Sequence, residues 1–110
     1  MTEEKFEAYV LRLFDRVWSI LKRKQQEYVL DKSDRFKAFK HEWLNSEIKD
    51  KPKQTLWFQM AKHIDSIHDM CMSDKEFKFE VWDEKIVDII NYLCILNCMI
   101  VEEKNGNRSL

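Results

Sequence analysis

The last helical stretch of the chain carries a row of side chains that could bind a metal ion. The row has one member per helical turn on a single face and consists of Glu80, Glu84, Asp88 and Asn91. The same face continues into Cys94, Ile95 and Cys98, which are residue types of a protein core. Buried carboxylates are costly unless their charge is compensated, and a divalent cation is the usual partner of several converging carboxylates. The sequence therefore predicts a helical scaffold around an acidic cleft that can bind a metal.

The acidic set of this cleft is Glu84 and Asp88 together with Glu27, which ends the inner face of the first helix. Oxygen ligands favour Mg²⁺ or Mn²⁺, and such an ion polarises a phosphoryl oxygen and activates water for attack. A second interpretation treats Glu80 and Glu84 as surface acids that the helix dipole favours near an N-terminus. That interpretation explains Asp88 poorly, because Asp88 lies well inside the helix.

Two further features each have a functional and a structural interpretation. His63 is either a substrate contact or proton relay, or a histidine at the edge of the core. Because His63 and His68 are five residues apart, they cannot form a zinc pair of the HExxH type. The basic residues around Asp34 form either a solvated connector or a lid that meets phosphates, since Lys and Arg are the phosphate-binding side chains. They are Lys32, Arg35, Lys37 and Lys40.

Apolar residues at the helical period place the elements that must position these groups. We expect amphipathic helices over residues 4 to 30, with Thr2 as N-cap, and over 54 to 72, and a short helix over 35 to 44. The final helix, near 80 to 99, is apolar on nearly every side in its second half and is predicted to be a core helix. The fold class is all-α: three long helices plus one short helix in one domain, residues 1 to 101, completed by oligomerisation. Residues 102 to 110 are expected to be a flexible tail.

Composition excludes several classes of function. The chain has 110 residues, a formal net charge of −1, one Gly and one Pro. The near-neutral charge argues against binding to nucleic acid or to an anionic membrane. The charged N-terminus does not resemble a signal peptide and no apolar run could span a bilayer, so we expect a cytoplasmic protein. The three cysteines are expected to be reduced and packed in the core.

Three segments together resemble a known family. They are Lys24 to Tyr28 with SDRFKAFK at 33 to 40, LWFQMAKHIDSIHDM at 56 to 70, and WDEKIVDIINYLCIL at 82 to 96. The pattern is similar to a small phage-encoded group with a K-x-x-[DE]-Y helix end, a D-R-F-x-N-F element, a K-H-x-x-S helix and a final E-K-x-x-D-x-x-N-Y helix. That group resembles compact relatives of the MazG-like all-α nucleoside triphosphate pyrophosphohydrolases.

The resemblance implies a helical bundle that forms a homodimer or higher homo-oligomer in the cytoplasm of a phage host. It also implies Mg²⁺-dependent cleavage of a nucleotide between its α and β phosphates. Glu27, Glu84 and Asp88 would bind the metal, and Glu84 and Asp88 would be catalytic. The substrate contacts would come from Arg35, Lys62, His63 and Asn91.

The alternative is a non-catalytic phage protein that binds a host protein or a signalling nucleotide, for example to inhibit a host defence system. It is based on two departures from the family pattern. Ala38 stands where the D-R-F-x-N-F element has its Asn, and Glu27 stands alone where MazG proteins have a doubled E-E-x-x-E motif.

Overall fold

The computed structural model describes residues 1–28 and 51–105, and within residues 24–28 it describes the backbone alone. The helices are α1 (Glu3–Tyr28), α2 (Pro52–Met72) and α3 (Phe79–Asn105). Every regular element of these described ranges is a helix, so the predicted all-α class is confirmed. The short helix expected at 35 to 44 lies outside the described residues. The final helix continues to Asn105, through the first residues of the segment assigned to the tail.

Helix α1 begins as its sequence predicts. The backbone N–H of Lys5 donates to Thr2 Oγ1 at 3.2 Å, and Glu3 and Glu4 occupy the first turn. Such a cap satisfies one of the backbone donors that a helix start leaves unpaired, and acids there interact favourably with the helix dipole. Helix α1 belongs to one compact unit, and α2 and α3 belong to another.

Local backbone chemistry ends α2 and starts α3. Pro52 stands in the first turn of α2, where its missing N–H would have no helical partner anyway. After Met72 the backbone of Ser73 becomes extended, and the Ser73 side-chain oxygen accepts the N–H of Lys75 at 3.1 Å. The ring of Phe77 then meets Trp82 edge-on, with centroids 5.9 Å apart. These contacts turn the chain within a few residues, so that α3 can return along α2.

Helices α2 and α3 form an antiparallel hairpin. The start of α2 meets the end of α3 where Lys53 Nζ lies 2.9 Å from Glu103 Oε2. Between the helices a small apolar core excludes water, and each large side chain buried there contributes roughly 1.5–3 kcal/mol. The buried hydrophobic residues of this unit are Leu56, Met60, Met70, Val87 and Met99.

The expectation that the second half of α3 is a core helix, buried on nearly every side, is wrong for the single chain. Leu93 and Ile100 are exposed large hydrophobic residues, although they lie in its most apolar stretch. The helical neighbour α2 covers one side of α3, and a helix buries only the side that meets a neighbour. For the same reason Cys71 and Cys98 are exposed rather than packed in the core, and Cys94 is half-buried; none of the three forms a disulfide.

Candidate functional site

The acidic face of α3 enters the hairpin interface turn by turn. Glu80 and Glu84 are exposed, the side chain of Asp88 is 21% exposed, and Asn91 is 5% exposed. The predicted helical spacing is confirmed by the extent of α3, which includes all four residues. The row therefore leads from solvent, through a partly covered carboxylate, to a buried amide.

His63 of α2 faces the middle of this row. Its Nδ1 lies 3.7 Å from Asp88 Oδ2, which is too long for a hydrogen bond but close enough for an ion pair when the imidazole is protonated. The imidazole ring also lies against Tyr92, with centroids 5.3 Å apart and the planes tilted by 42°. His63 is thus both a partner of the acidic face and a residue at the edge of the core, with 26% of its side chain exposed.

Two polar groups at this position have unmet hydrogen-bonding capacity. Neither Asn91 Oδ1 nor Asn91 Nδ2 has a hydrogen-bond partner among the described residues, and neither does His63 Nδ1. Leaving a buried polar group unpaired costs roughly 1–3 kcal/mol, so native proteins rarely retain one without a use. An amide offers a donor and an acceptor side by side, which suits the edge of a nucleobase or a phosphate with its neighbouring hydroxyl.

The carboxylates of α3 partly fit a magnesium ion. Glu84 and Asp88 are four residues apart, so both project from one face of the helix. Mg²⁺ is usually held by one or two carboxylates together with substrate phosphates and water, and two carboxylates at this spacing supply that number of protein ligands. In the part of the chain that the structure describes, no group of three or more His, Cys, Asp or Glu side chains is placed to hold an ion. The proposed third ligand, Glu27, lies in α1, and its side chain is outside the described set.

The remaining predicted contacts are placed differently. Lys62 is exposed, one residue before His63, and so projects about 100° around α2 from it. Arg35 lies outside the described residues. No role was predicted for Tyr92 from the sequence. Its position four residues after Asp88 could have indicated that both residues contact the same neighbour, which is His63. The other histidine of α2, His68, is exposed, and its Nδ1 lies 3.3 Å from Asp69 Oδ1 of the same helix.

Comparison with known proteins adds no relative to this description. No protein-family model matches the chain, and neither the curated proteins nor the solved structures include a significant match. None of the three described helices has both the length and the apolar content needed to cross a bilayer.

Proposed function

We propose that this protein is a Mg²⁺-dependent nucleotide pyrophosphohydrolase, which cleaves a nucleoside triphosphate or a related nucleotide between its α and β phosphates. The observation that carries the proposal is the graded face of α3. It places a partly covered Asp88 against His63, one turn before the buried amide of Asn91, which has no hydrogen-bond partner among the described residues. This order of groups suits a ligand with a charged, metal-binding end and a polar end that needs a hydrogen-bonding partner.

Each residue of the site has a role in this reaction. Glu84 and Asp88 would hold Mg²⁺, which when bound polarises a phosphoryl oxygen and neutralises phosphate charge. His63 donates a hydrogen bond to a phosphate oxygen, and Asn91 binds the polar part of the nucleotide. Water adds to the α phosphorus, a carboxylate accepts its proton, and the bond from that phosphorus to the bridging oxygen breaks. The products are a nucleoside monophosphate and pyrophosphate.

The decisive experiment measures binding and turnover on the same samples. Calorimetric titration with Mg²⁺ and a panel of nucleoside triphosphates gives the affinity, and pyrophosphate release gives the activity. We expect Asp88→Asn to lower release at least about a hundredfold, because its carboxylate both binds the ion and neighbours His63. The matched control is Asp65→Asn, which changes an exposed carboxylate of α2 and should leave the rate unchanged.

The other outcomes identify different functions. Nucleotide binding without pyrophosphate release would make the protein a nucleotide-binding protein and would reject catalysis. If there were neither binding nor release, the nucleotide proposal would be wrong. A host protein would then be the expected partner, and it would be sought with the chain as bait.

A further inference from the structure

One side of α1 exposes three large apolar side chains on successive turns. Leu11 is 59% exposed, Phe14 55% and Trp18 62%, and steps of three and four residues place all three on one side of the helix. We call these three residues the α1 patch. Single exposed apolar residues are ordinary at a protein surface, but a contiguous group marks a surface that meets an apolar partner.

The α1 patch is separate from the side of α1 that is packed. Val17 is only 3% exposed, and the apolar residues around it are half-buried. They are Val10, Leu13, Ile20 and Leu21. Because successive residues turn by about 100°, the members of the patch are rotated by about 60–120° from Val17, all in the same direction. The apolar arc of α1 is therefore wider than its packed side, and the patch is the part that faces solvent.

Basic side chains border the α1 patch, although the whole chain has a formal net charge of −1. Residues 8–23 hold four basic side chains and one acidic one, so this part of α1 has a formal charge of +3. The basic residues are Arg12, Arg16, Lys22 and Arg23, and the acidic one is Asp15. Lys22 is exposed one turn after Trp18. The guanidinium of Arg12 lies 5.6 Å from the ring centre of Tyr9, and this cation–π contact leaves its charge in place.

We propose that the α1 patch binds the surface of an anionic lipid membrane, with α1 lying along that surface rather than crossing it. Helices that bind in this way carry Trp, Phe and Leu on one side and Lys or Arg on the other. The ring of Trp18 suits the boundary between headgroups and acyl chains, because its body is apolar and its N–H can bond to a headgroup. The long side chains of Arg12 and Lys22 would reach headgroup phosphates.

The distribution of charge favours a lipid surface and sets the orientation of α1 on it. An apolar groove of another protein would not account for the basic border of the patch, whereas an anionic membrane accounts for both the border and the apolar centre. The acids of α1 are concentrated before the patch, at Glu3, Glu4 and Glu7. An anionic surface repels them, so we expect the end of α1 that carries Lys22 to lie closer to the membrane.

The test is co-sedimentation of the full chain with lipid vesicles. We expect binding to phosphatidylcholine vesicles that contain phosphatidylglycerol, and we expect Trp18→Glu to weaken it about tenfold or more, because a carboxylate would enter the acyl boundary. The matched control is Trp57→Glu, since Trp57 is a similarly exposed tryptophan on α2; that variant should bind like wild type. Circular dichroism checks that the variants stay helical, and Leu11→Gln provides a milder second change to the patch.

A charge reversal tests the requirement for anionic lipid. We expect Lys22→Glu to weaken binding about fivefold or more, because one attraction to the headgroups becomes a repulsion. Added salt should weaken wild-type binding for the same reason. The control is Lys75→Glu, which makes the same change of charge at an exposed position between α2 and α3 and should leave binding unchanged.

Four results would overturn the proposal. They are no binding of wild type to the anionic vesicles, equally strong binding to vesicles of phosphatidylcholine alone, binding that tolerates both Trp18→Glu and Leu11→Gln, and binding that Trp57→Glu weakens as much as Trp18→Glu does. The first result would leave the α1 patch to a protein partner. The last would place the lipid contact on the α2–α3 unit.

Discussion

The buried amide of Asn91 has opposite expected effects on stability and on ligand binding. It lies almost completely buried in the antiparallel hairpin, and neither atom of its amide has a hydrogen-bond partner among the described residues. An amide in such a place reduces the free energy of unfolding, because water that solvated it in the unfolded chain is lost. A ligand that binds the amide would restore the missing hydrogen bonds. The same residue can therefore be a cost to the free protein and a source of affinity.

Replacing Asn91 by an apolar residue of similar shape should expose this conflict. We expect Asn91→Leu to raise the free energy of unfolding by about 1–3 kcal/mol, since it removes an unpaired buried polar group and fills the same space. The same variant should lose nucleotide binding. Urea denaturation measures the first effect and calorimetric titration the second.

The control for this change is Asn97→Leu, which alters an exposed Asn on the same helix and should shift stability by no more than about 0.5 kcal/mol. If Asn91→Leu destabilised the protein, the amide would have a partner that it needs, and its assignment to a ligand would be wrong.

At the scale of the elements, an ion pair joins the two helices of the α2–α3 hairpin at the end away from their connector. It is formed by Lys53 and Glu103. The ammonium group lies within 3.2 Å of both carboxylate oxygens. A hydrogen bond from Lys53, together with its charge, lowers the pKa of Glu103 from its usual value of 4.5. Both side chains are about half exposed, so solvent and salt screen the interaction, and its contribution to stability is small.

This pair should make a small part of the stability depend on pH. Because the pKa of Glu103 is lowered in the folded state, its stabilisation is present above the usual value of 4.5 and is lost as the pH falls through the lowered pKa. We expect wild type to be slightly more stable than Glu103→Gln near neutral pH and the two to converge in acid. Urea denaturation at several pH values, at low salt, measures the difference.

The control for the pH experiment is Glu102→Gln, which removes a neighbouring exposed carboxylate and should leave the pH dependence of stability close to that of wild type. A wild-type advantage over Glu103→Gln that persisted below the lowered pKa would show that the charge of Glu103 is not its source.

The sequence predicts the helices well because each is long and has a clear apolar period. Thr2 could be assigned as a cap for an equally local reason, since it is followed at once by Glu3 and Glu4. The exposure of Leu93 could not be predicted, because an apolar residue in a helix does not reveal which side a neighbour covers. The approach of His63 to Asp88 was equally hidden, since it depends on how two helices pair across 25 residues of chain. The spacing of Glu84 and Asp88 was enough to place both on one face of a helix. It could not predict whether Glu27 lies near them, because Glu27 belongs to a different helix.

At the scale of the whole molecule, the α2–α3 unit depends on a small core with many methionines. Of the five buried hydrophobic residues in the described part of this unit, three are Met60, Met70 and Met99, whose flexible side chains fill irregular space but define packing loosely. Among the described residues, Leu56 and Val87 are the largest side chains that are fully buried. A core of this size should be sensitive to the loss of either one.

Truncation of Leu56 should therefore remove a large share of the stability. We expect Leu56→Ala to lower the free energy of unfolding by about 2–5 kcal/mol, which is substantial for a domain whose total is about 5–15 kcal/mol. Urea denaturation followed by circular dichroism measures the loss. The control is Trp57→Ala, the next residue along, which is exposed and should cost much less. A loss below about 1 kcal/mol for Leu56→Ala would mean that the methionines close the space.

The contacts within the hairpin also differ in the length of chain between the two residues that they join. This difference predicts the order in which the contacts form during folding. The ring contact of Phe77 with Trp82 spans five residues, His63 with Asp88 spans 25, and Lys53 with Glu103 spans 50. Closing a longer loop costs more entropy, so the connector can form first and the helices can join from it toward their free ends. We therefore expect the contact between Lys53 and Glu103 to form after the rate-limiting step, so that its loss would accelerate unfolding and leave the folding rate almost unchanged.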